Sequence, residues 1–190
     1  MAVVLIESKL ELLNDWIRRR EYTKGLYKLV WVGPPRMVKR DKFDLYAPYL
    51  APPESMRKRF EELREKNIRI ASGMRSWGET EKERLLTAEF KAFKDAYGPD
   101  AVYYRRYLRR LKKAQEAISK IRNWLKKKFN VILISPGRTV ARPSLILMSI
   151  ILRKQDLAKL LREAGYFFDR DIKFAEYIQK QVKRRPFKIV

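Results

Sequence analysis

Residues 100–129 contain neither Pro nor Gly, so nothing in them breaks a helix. Tyr104, Leu111, Ile118 and Leu125 recur every seven residues, and Tyr107, Ala114 and Ile121 each fall three residues after the first three of them. That spacing is the apolar stripe of one long amphipathic helix. The remaining faces carry Arg105, Arg106, Arg109, Arg110, Lys112, Lys113, Lys120, Arg122, Lys126, Lys127 and Lys128, with Glu116 as the only acid inside the helix. Like charges at i,i+4 each cost about 0.2–0.5 kcal/mol, so a solvated face normally mixes its signs. A face this one-sided calls for a polyanion beside it. The periodicity predicts a helix over 101–128 that is the longest in the chain or nearly so.

The whole chain has the same bias. Its 190 residues hold 45 Lys and Arg against 22 Asp and Glu, a formal net charge of +23. Such self-repulsion destabilises a compact state unless counter-charge is near. Duplex DNA carries one charge per ~1.7 Å of axis, so one chain matches roughly 40 Å of duplex, or about a dozen base pairs. That suits coating better than contact with one short site. The hydrophobic fraction is 46%, which predicts a real core and not a disordered polycation. Cys and His are both absent. This excludes disulfides, thiolate metal sites, and the commonest general base and metal ligand. The high charged fraction, 35%, is a composition common among hyperthermophile proteins. The apolar run over 145–152 is far shorter than the ~20 residues of a membrane crossing. The opening residues, with no basic region before an apolar run, do not read as a secretory signal.

In chain order, residues 3–20 read as a first helix through Ile6, Leu10, Leu13 and Ile17, with a short strand over 3–6 as the alternative. Residues 26–32 fit strand or helix. Pro34, Pro35, Pro48, Pro52 and Pro53 make 33–53 a linker-like stretch, with Arg36, Lys39, Arg40 and Lys42 among them. Residues 1–53 therefore read as an arm that adds little to a compact core. Its Trp16, Trp31, Phe43, Tyr46 and Tyr49 would then pack on neighbouring subunits and on DNA. From Glu54, Met56, Phe60, Leu63, Asn67, Ile70, Met74 and Trp77 alternate four and three apart, with Gly78 as the stop. Asn67 in a core slot is a register device between paired helices. Thr80 and Glu83 form a capping box for a helix carrying Leu86, Phe90, Phe93 and Tyr97. Gly98 and Pro99 end it, and Asp100 is an N-cap candidate for the basic helix. Residues 131–134 fit a short buried strand. A further helix runs from near Pro143 to Glu163, apolar nearly all round in its first half, which implies deep burial or a subunit contact. A last helix spans about 171–184, before a basic tail. The expected fold class is mostly α: an extended or helical arm over 1–53, then a helical bundle over 54–190 containing the long basic helix, with short strands open at 26–32 and 131–134.

No catalytic constellation stands out. Triads and zinc sites lack their residues, and no phosphate-cradling Gly motif is present. Glu89, Phe90 and Lys91, with Asp44 upstream, resemble the acid-x-Lys pattern of metal-dependent nucleases. That pattern belongs on a strand, however, and here it lies in a helical run. Pro136, Gly137 and Arg138 before a helix offer a phosphate contact or an ordinary connection. Tyr103, Tyr104 and Tyr107 suit base stacking, but the latter two lie on the packing stripe. The expected phosphate-contacting set is Arg105, Arg106, Arg109, Arg110, Lys112, Lys113, Lys120, Arg122, Lys126 and Lys127, with Arg36, Lys39, Arg40, Arg138 and Arg142. Such contacts are specific for phosphate, not for sequence. No cofactor and no metal are expected, and no enzymatic activity.

In its arm-like residues 1–53, basic helix 100–129 and apolar helix 145–161, the chain resembles the DNA-wrapping major capsid proteins of rod-shaped and filamentous viruses of hyperthermophilic archaea. The resemblance implies a mostly helical protein whose paired subunits, identical or paralogous, enclose double-stranded DNA, in the A form in the better-known cases, and stack into a helical nucleocapsid. It places the protein in a virion. The alternatives are a cellular hyperthermophile protein of chromatin or repair that coats DNA or single strands, located in the cytoplasm or nucleoid, an RNA-binding ribosomal component, and a nuclease relying on Glu89 and Lys91.

Overall fold

The computed structural model describes residues 4–73, 80–98, 101–136, 141–153, 156–163 and 169–184. Its organising element is a parallel sheet of four short strands in the order β1-β4-β2-β3. These are β1 (Leu5–Lys9), β2 (Tyr27–Trp31), β3 (Leu45–Tyr46) and β4 (Asn130–Ser135). Leu5 pairs with Val131 on one side of β4, and Lys28 pairs with Val131 on the other. The four residues Val131, Ile132, Leu133 and Ile134 are fully buried, as expected of a continuous apolar run that is covered on both faces. Alternate residues serve alternate faces. Val131, Leu133 and Val30 join the large helical core, whereas Ile132, Ile134, Leu29 and Trp31 join a smaller cluster beneath α1 (Leu13–Tyr22).

The N-terminal residues are thus not laid out as a free arm. Residues 5–9 form a strand because they have β4 to pair with, and α1 starts only after a short 3-10 turn at Leu10–Leu12. Trp31 is fully buried, Phe43 nearly so, and Trp16 and Tyr46 are half-buried; of the five aromatics assigned to the arm, Tyr49 alone counts as exposed. The prolines of 33–53 shape turns that lie on the core. Ala47 and Leu50 are completely buried, and Asp44 accepts from the Leu29 amide at 2.8 Å and from Arg20 at 3.1 Å. Gly33 is required at the end of β2, because a Cβ there would run into the Trp31 ring and come within 2.7 Å of Pro136.

The helices cover the other face. α2 (Glu54–Ser72) and α3 (Glu81–Tyr97) form an antiparallel pair, with Phe60 against Phe93 and Tyr97, and Asn67 Nδ2 donating to the Ala88 carbonyl at 3.2 Å. Asn67 therefore ties the register of these two helices, as its core slot suggests. The Thr80–Glu83 capping box is present, and the hydrogen bonds from Thr80, backbone first, hold the Glu83 carboxyl below its ordinary value. Met74, Trp77, Gly78, Pro99 and Asp100 lie outside the described residues; the N-cap of the next helix is Ala101.

The basic helix is not continuous. It divides into α4 (Val102–Lys112) and α5 (Gln115–Lys126), with tight turn bonds from the amides of Lys113 and Ala114. α2, with 19 residues, is longer than either half. The apolar stripe survives the break: Tyr104, Tyr107, Leu111, Ala114, Ile118 and Ile121 are all buried. The helix after β4 divides similarly, into α6 (Ala141–Leu152) and α7 (Leu157–Glu163). Leu145 to Leu152 are buried within the chain itself, so intramolecular packing, not a subunit contact, accounts for their apolarity. α8 (Asp169–Arg184) closes the bundle, stacking Phe174 on Phe93 with centroids 4.2 Å apart.

Deleting residues 1–50 would remove three of the four strands and leave both edges of β4 unpaired. The chain shortened to 51–190 is expected to show no cooperative thermal transition by calorimetry. A sharp transition near that of the full chain would contradict this assignment of the core.

Candidate nucleic-acid interface

The apolar stripe of α4 and α5 decides where their cations go. With Tyr104, Tyr107, Leu111, Ile118 and Ile121 turned inward, Arg105, Arg106, Arg109, Arg110, Lys112, Lys113, Lys120, Lys126 and Lys127 are all exposed. α2 offers an internal comparison. Its outer face mixes signs and makes short-range ion pairs, Arg57 and Lys58 with Glu54, and Arg59 with Glu62. This is how a helix in contact with water alone manages its charge. α4 and α5 have Glu116 as their only acid, so their many cations share a single carboxylate on their own helices.

Not every cation on these helices faces outward for a partner. Arg110 donates from Nε to the Tyr49 carbonyl at 3.0 Å and from Nη2 to the Pro48 carbonyl at 3.3 Å, holding α4 to the turn at Pro48–Leu50. Beside it, the buried Tyr107 hydroxyl donates to the Leu50 carbonyl at 2.8 Å. Burial pushes that phenol far above its ordinary value, against a smaller opposing effect of Arg110. Arg122 is half-buried. Its Nε donates to the Ile151 carbonyl at 3.0 Å and its Nη2 to the Ile150 carbonyl, capping the C-terminus of α6. Burial, and secondarily Arg153, pushes it down to about 10. The sequence pattern groups Arg122 with the phosphate contacts; its structural role is a cap, because α5 packs against α6 on that side.

The remaining cations in that set lie elsewhere. Arg36, Lys39 and Arg40 sit on the loop between β2 and β3, whose Val38 and Phe43 pack on the α1 face of the sheet. α5 packs on the opposite face, so these three do not extend its track. Arg36 adopts a left-handed backbone at φ 68° and donates its amide to the Tyr46 hydroxyl, while the Arg40 guanidinium lies 4.9 Å over the Tyr46 ring. Arg138 falls outside the described residues. Arg142 lies in the first turn of α6, and its side chain is not among those described. Lys28, which the sequence did not single out, rests 4.6 Å over the Phe129 ring and 6.0 Å over Trp124; Lys120 covers the same tryptophan at 5.2 Å.

The two acids of the nuclease-like pattern have structural partners. Glu89 is buried on α3 and accepts from Arg64 Nε at 2.7 Å, bridging α2 and α3. Asp44 is occupied with Leu29, Arg20 and Lys28. Among the described residues no three His, Cys, Asp or Glu cluster in a way that would hold a metal ion. No helix among them is long and apolar enough to cross a membrane. No family model matches this chain, and neither a curated protein nor a solved structure does.

Replacing Arg122 by Leu removes a charged donor from the Ile150 and Ile151 carbonyls. It is expected to lower stability by about 1–3 kcal/mol, the usual cost of removing a charged donor from such groups. Thermal denaturation measures this, and duplex affinity at a temperature where the variant is folded should be unchanged. Full stability with weakened duplex binding would return Arg122 to the phosphate-contacting residues.

Proposed function

We propose that this chain binds double-stranded DNA along its phosphate backbone, without sequence preference, and that many copies coat and package the duplex. The observation that carries the reading is the outer surface of α4 and α5: exposed Arg105, Arg106, Arg109, Lys112, Lys113, Lys120, Lys126 and Lys127 with Glu116 as the only acid. Lys and Arg in contact with phosphates displace condensed counterions, which is the main source of sequence-independent affinity. Base readout would require side chains that pair with base edges, and these faces offer chiefly point charges and forks suited to phosphate.

Duplex is favoured over single strands by what lies inside. Single-strand binders stack bases on exposed aromatics. Here Tyr104 and Tyr107 of the basic segment are buried, Trp124 is already covered by Lys28 and Lys120, and the Tyr103 side chain is not among those described. The coating role rests on the net charge of +23, which matches a length of duplex greater than one helix face can touch. A viral nucleocapsid is the narrower form of this reading. It is tested by electron microscopy of the protein mixed with duplex DNA, where regular filaments support it and dispersed particles oppose it.

The binding claim itself is tested by charge reversal. Arg105→Glu, Arg109→Glu and Lys112→Glu together should weaken binding equally to duplexes of unrelated sequence. The slope of log affinity against log salt should flatten by about 0.9 for each phosphate that the variant no longer neutralises. Fluorescence anisotropy across a salt series reads both quantities. Unchanged affinity, or weakening confined to one sequence, would refute the proposal.

A further inference from the structure

A second cationic feature lies apart from the outer face of α4. The end of α5, the end of α6, β1 and α7 enclose an open cleft of about 520 Å³. This volume falls in the roughly 300–1,000 Å³ range of small-molecule sites. Leu5, Leu125, Leu152 and Leu160 give it an apolar floor. Arg122, Lys126, Lys128 and Arg153 stand around it, and no carboxylate lines it among the described residues. Ser119 and Asn123, on the same face of α5 as Arg122 and Lys126, add neutral hydrogen-bonding groups.

Two observations set these cations apart from ordinary surface charge. First, Arg122 is half-buried with Arg153 nearby, and among the described residues neither meets an acid within ion-pair distance. The Arg122 guanidinium donates to the Ile150 and Ile151 carbonyls, but it remains a partly desolvated charge beside a like charge, which an anion would relieve. Second, Lys128 and Arg153 both follow helix ends with left-handed backbones, φ 67° and 55°. Glycine is the usual residue at such positions. Lys24 and Arg36 share this conformation elsewhere; Lys128 and Arg153 converge on one cavity. The bland explanation is that cations suit the negative ends of helices. Two helix ends supply only about half a negative charge each, so the cleft keeps an excess of about three positive charges.

We propose that this cleft binds an organic phosphate of nucleotide size, its phosphates held by Arg122, Lys126, Lys128 and Arg153 and its ring seated on the leucine floor. The same chemistry is offered by a free nucleotide and by a nucleotide unit of a single strand. No residue of α4 lines the cleft, although Lys126 of α5 belongs also to the duplex-facing set, so the two readings are separated through the α4 cations.

The test uses isothermal titration calorimetry on the full chain at about 0.15 M salt, where exposed charges are screened beyond roughly 8 Å. The probes are adenosine triphosphate, inorganic pyrophosphate and a thymidine dinucleotide. Wild-type protein should bind one adenosine triphosphate per chain, about tenfold or more tighter than pyrophosphate, which leaves the floor empty. The key variant carries Lys128→Gly and Arg153→Gly. These changes relax both left-handed positions while deleting their charges, so the protein should melt no lower than wild type. Its affinity for adenosine triphosphate should fall about tenfold or more. Competition by the dinucleotide would assign the site to strands and its absence to free nucleotides, and either supports the proposal. No saturable binding, equal affinity for pyrophosphate, or an unaffected glycine variant would overturn it. The variant with Arg105→Glu, Arg109→Glu and Lys112→Glu should keep its affinity for adenosine triphosphate, so the fate of this site and that of duplex binding are read separately.

Discussion

The pairing of β4 with strands on both its flanks is the constraint on which the rest of the structure depends. Val131 to Ile134 are apolar on both faces, so they need neighbours on each edge and cover above and below. β1 and β2 supply the edges and draw residues 5–31 against residue positions a hundred or more further on. Once this sheet is formed, α1 and the loop after β2 must cover one face, and the bundle must cover the other. The loop prolines then serve as corners that place Ala47 and Leu50 in the core.

The division of the basic helix follows from the same constraint. α4 is held to the turn at Pro48–Leu50 by Tyr107 and Arg110, whereas α5 packs against β4 and α6. One straight helix would have to satisfy both surfaces at once. A tight turn at Lys113 and Ala114 re-aims the stripe at the cost of a few helical bonds, in a segment with no residue that demands a break. The cations are left outside by elimination, since the inward faces are already filled. Their mutual repulsion is tolerated by a core with stacked and edge-on aromatic contacts among Phe60, Phe90, Phe93, Tyr97 and Phe174.

Local signals were legible in the sequence wherever a local cause produced them. The capping box at Thr80, the register contact of Asn67, the buried stripe and the apolar run of β4 each depend on residues near in sequence or on one periodic face. Long-range pairings left no such mark. Leu5 to Lys9 became a strand because β4 was available; the sequence offered a strand over 3–6 only as the alternative, and the helical period running on from Ile6 could not decide between the two. The apparent arm failed for the same reason, since prolines report that a segment is not helical and not that it is exposed. Arg122 was indistinguishable in sequence from its neighbours, and only the approach of α6 made it a cap. Of the candidate interface, the cations of α4 and α5 were readable from periodicity and charge. The cleft between α5, α6 and α7 was not, because Arg153 joins Lys128 only through the fold.

Lysine-reactive footprinting with and without duplex DNA, read by mass spectrometry, addresses the central claim most directly. The claim is that the outer faces of α4 and α5 meet the phosphate backbone while the mixed-sign face of α2 does not. Two duplexes of unrelated sequence should each protect Lys112, Lys113, Lys120, Lys126 and Lys127 from modification and leave Lys58 and Lys66 of α2 reactive. Protection of Lys58 and Lys66 with full reactivity along α4 and α5, or protection by one sequence only, would contradict it.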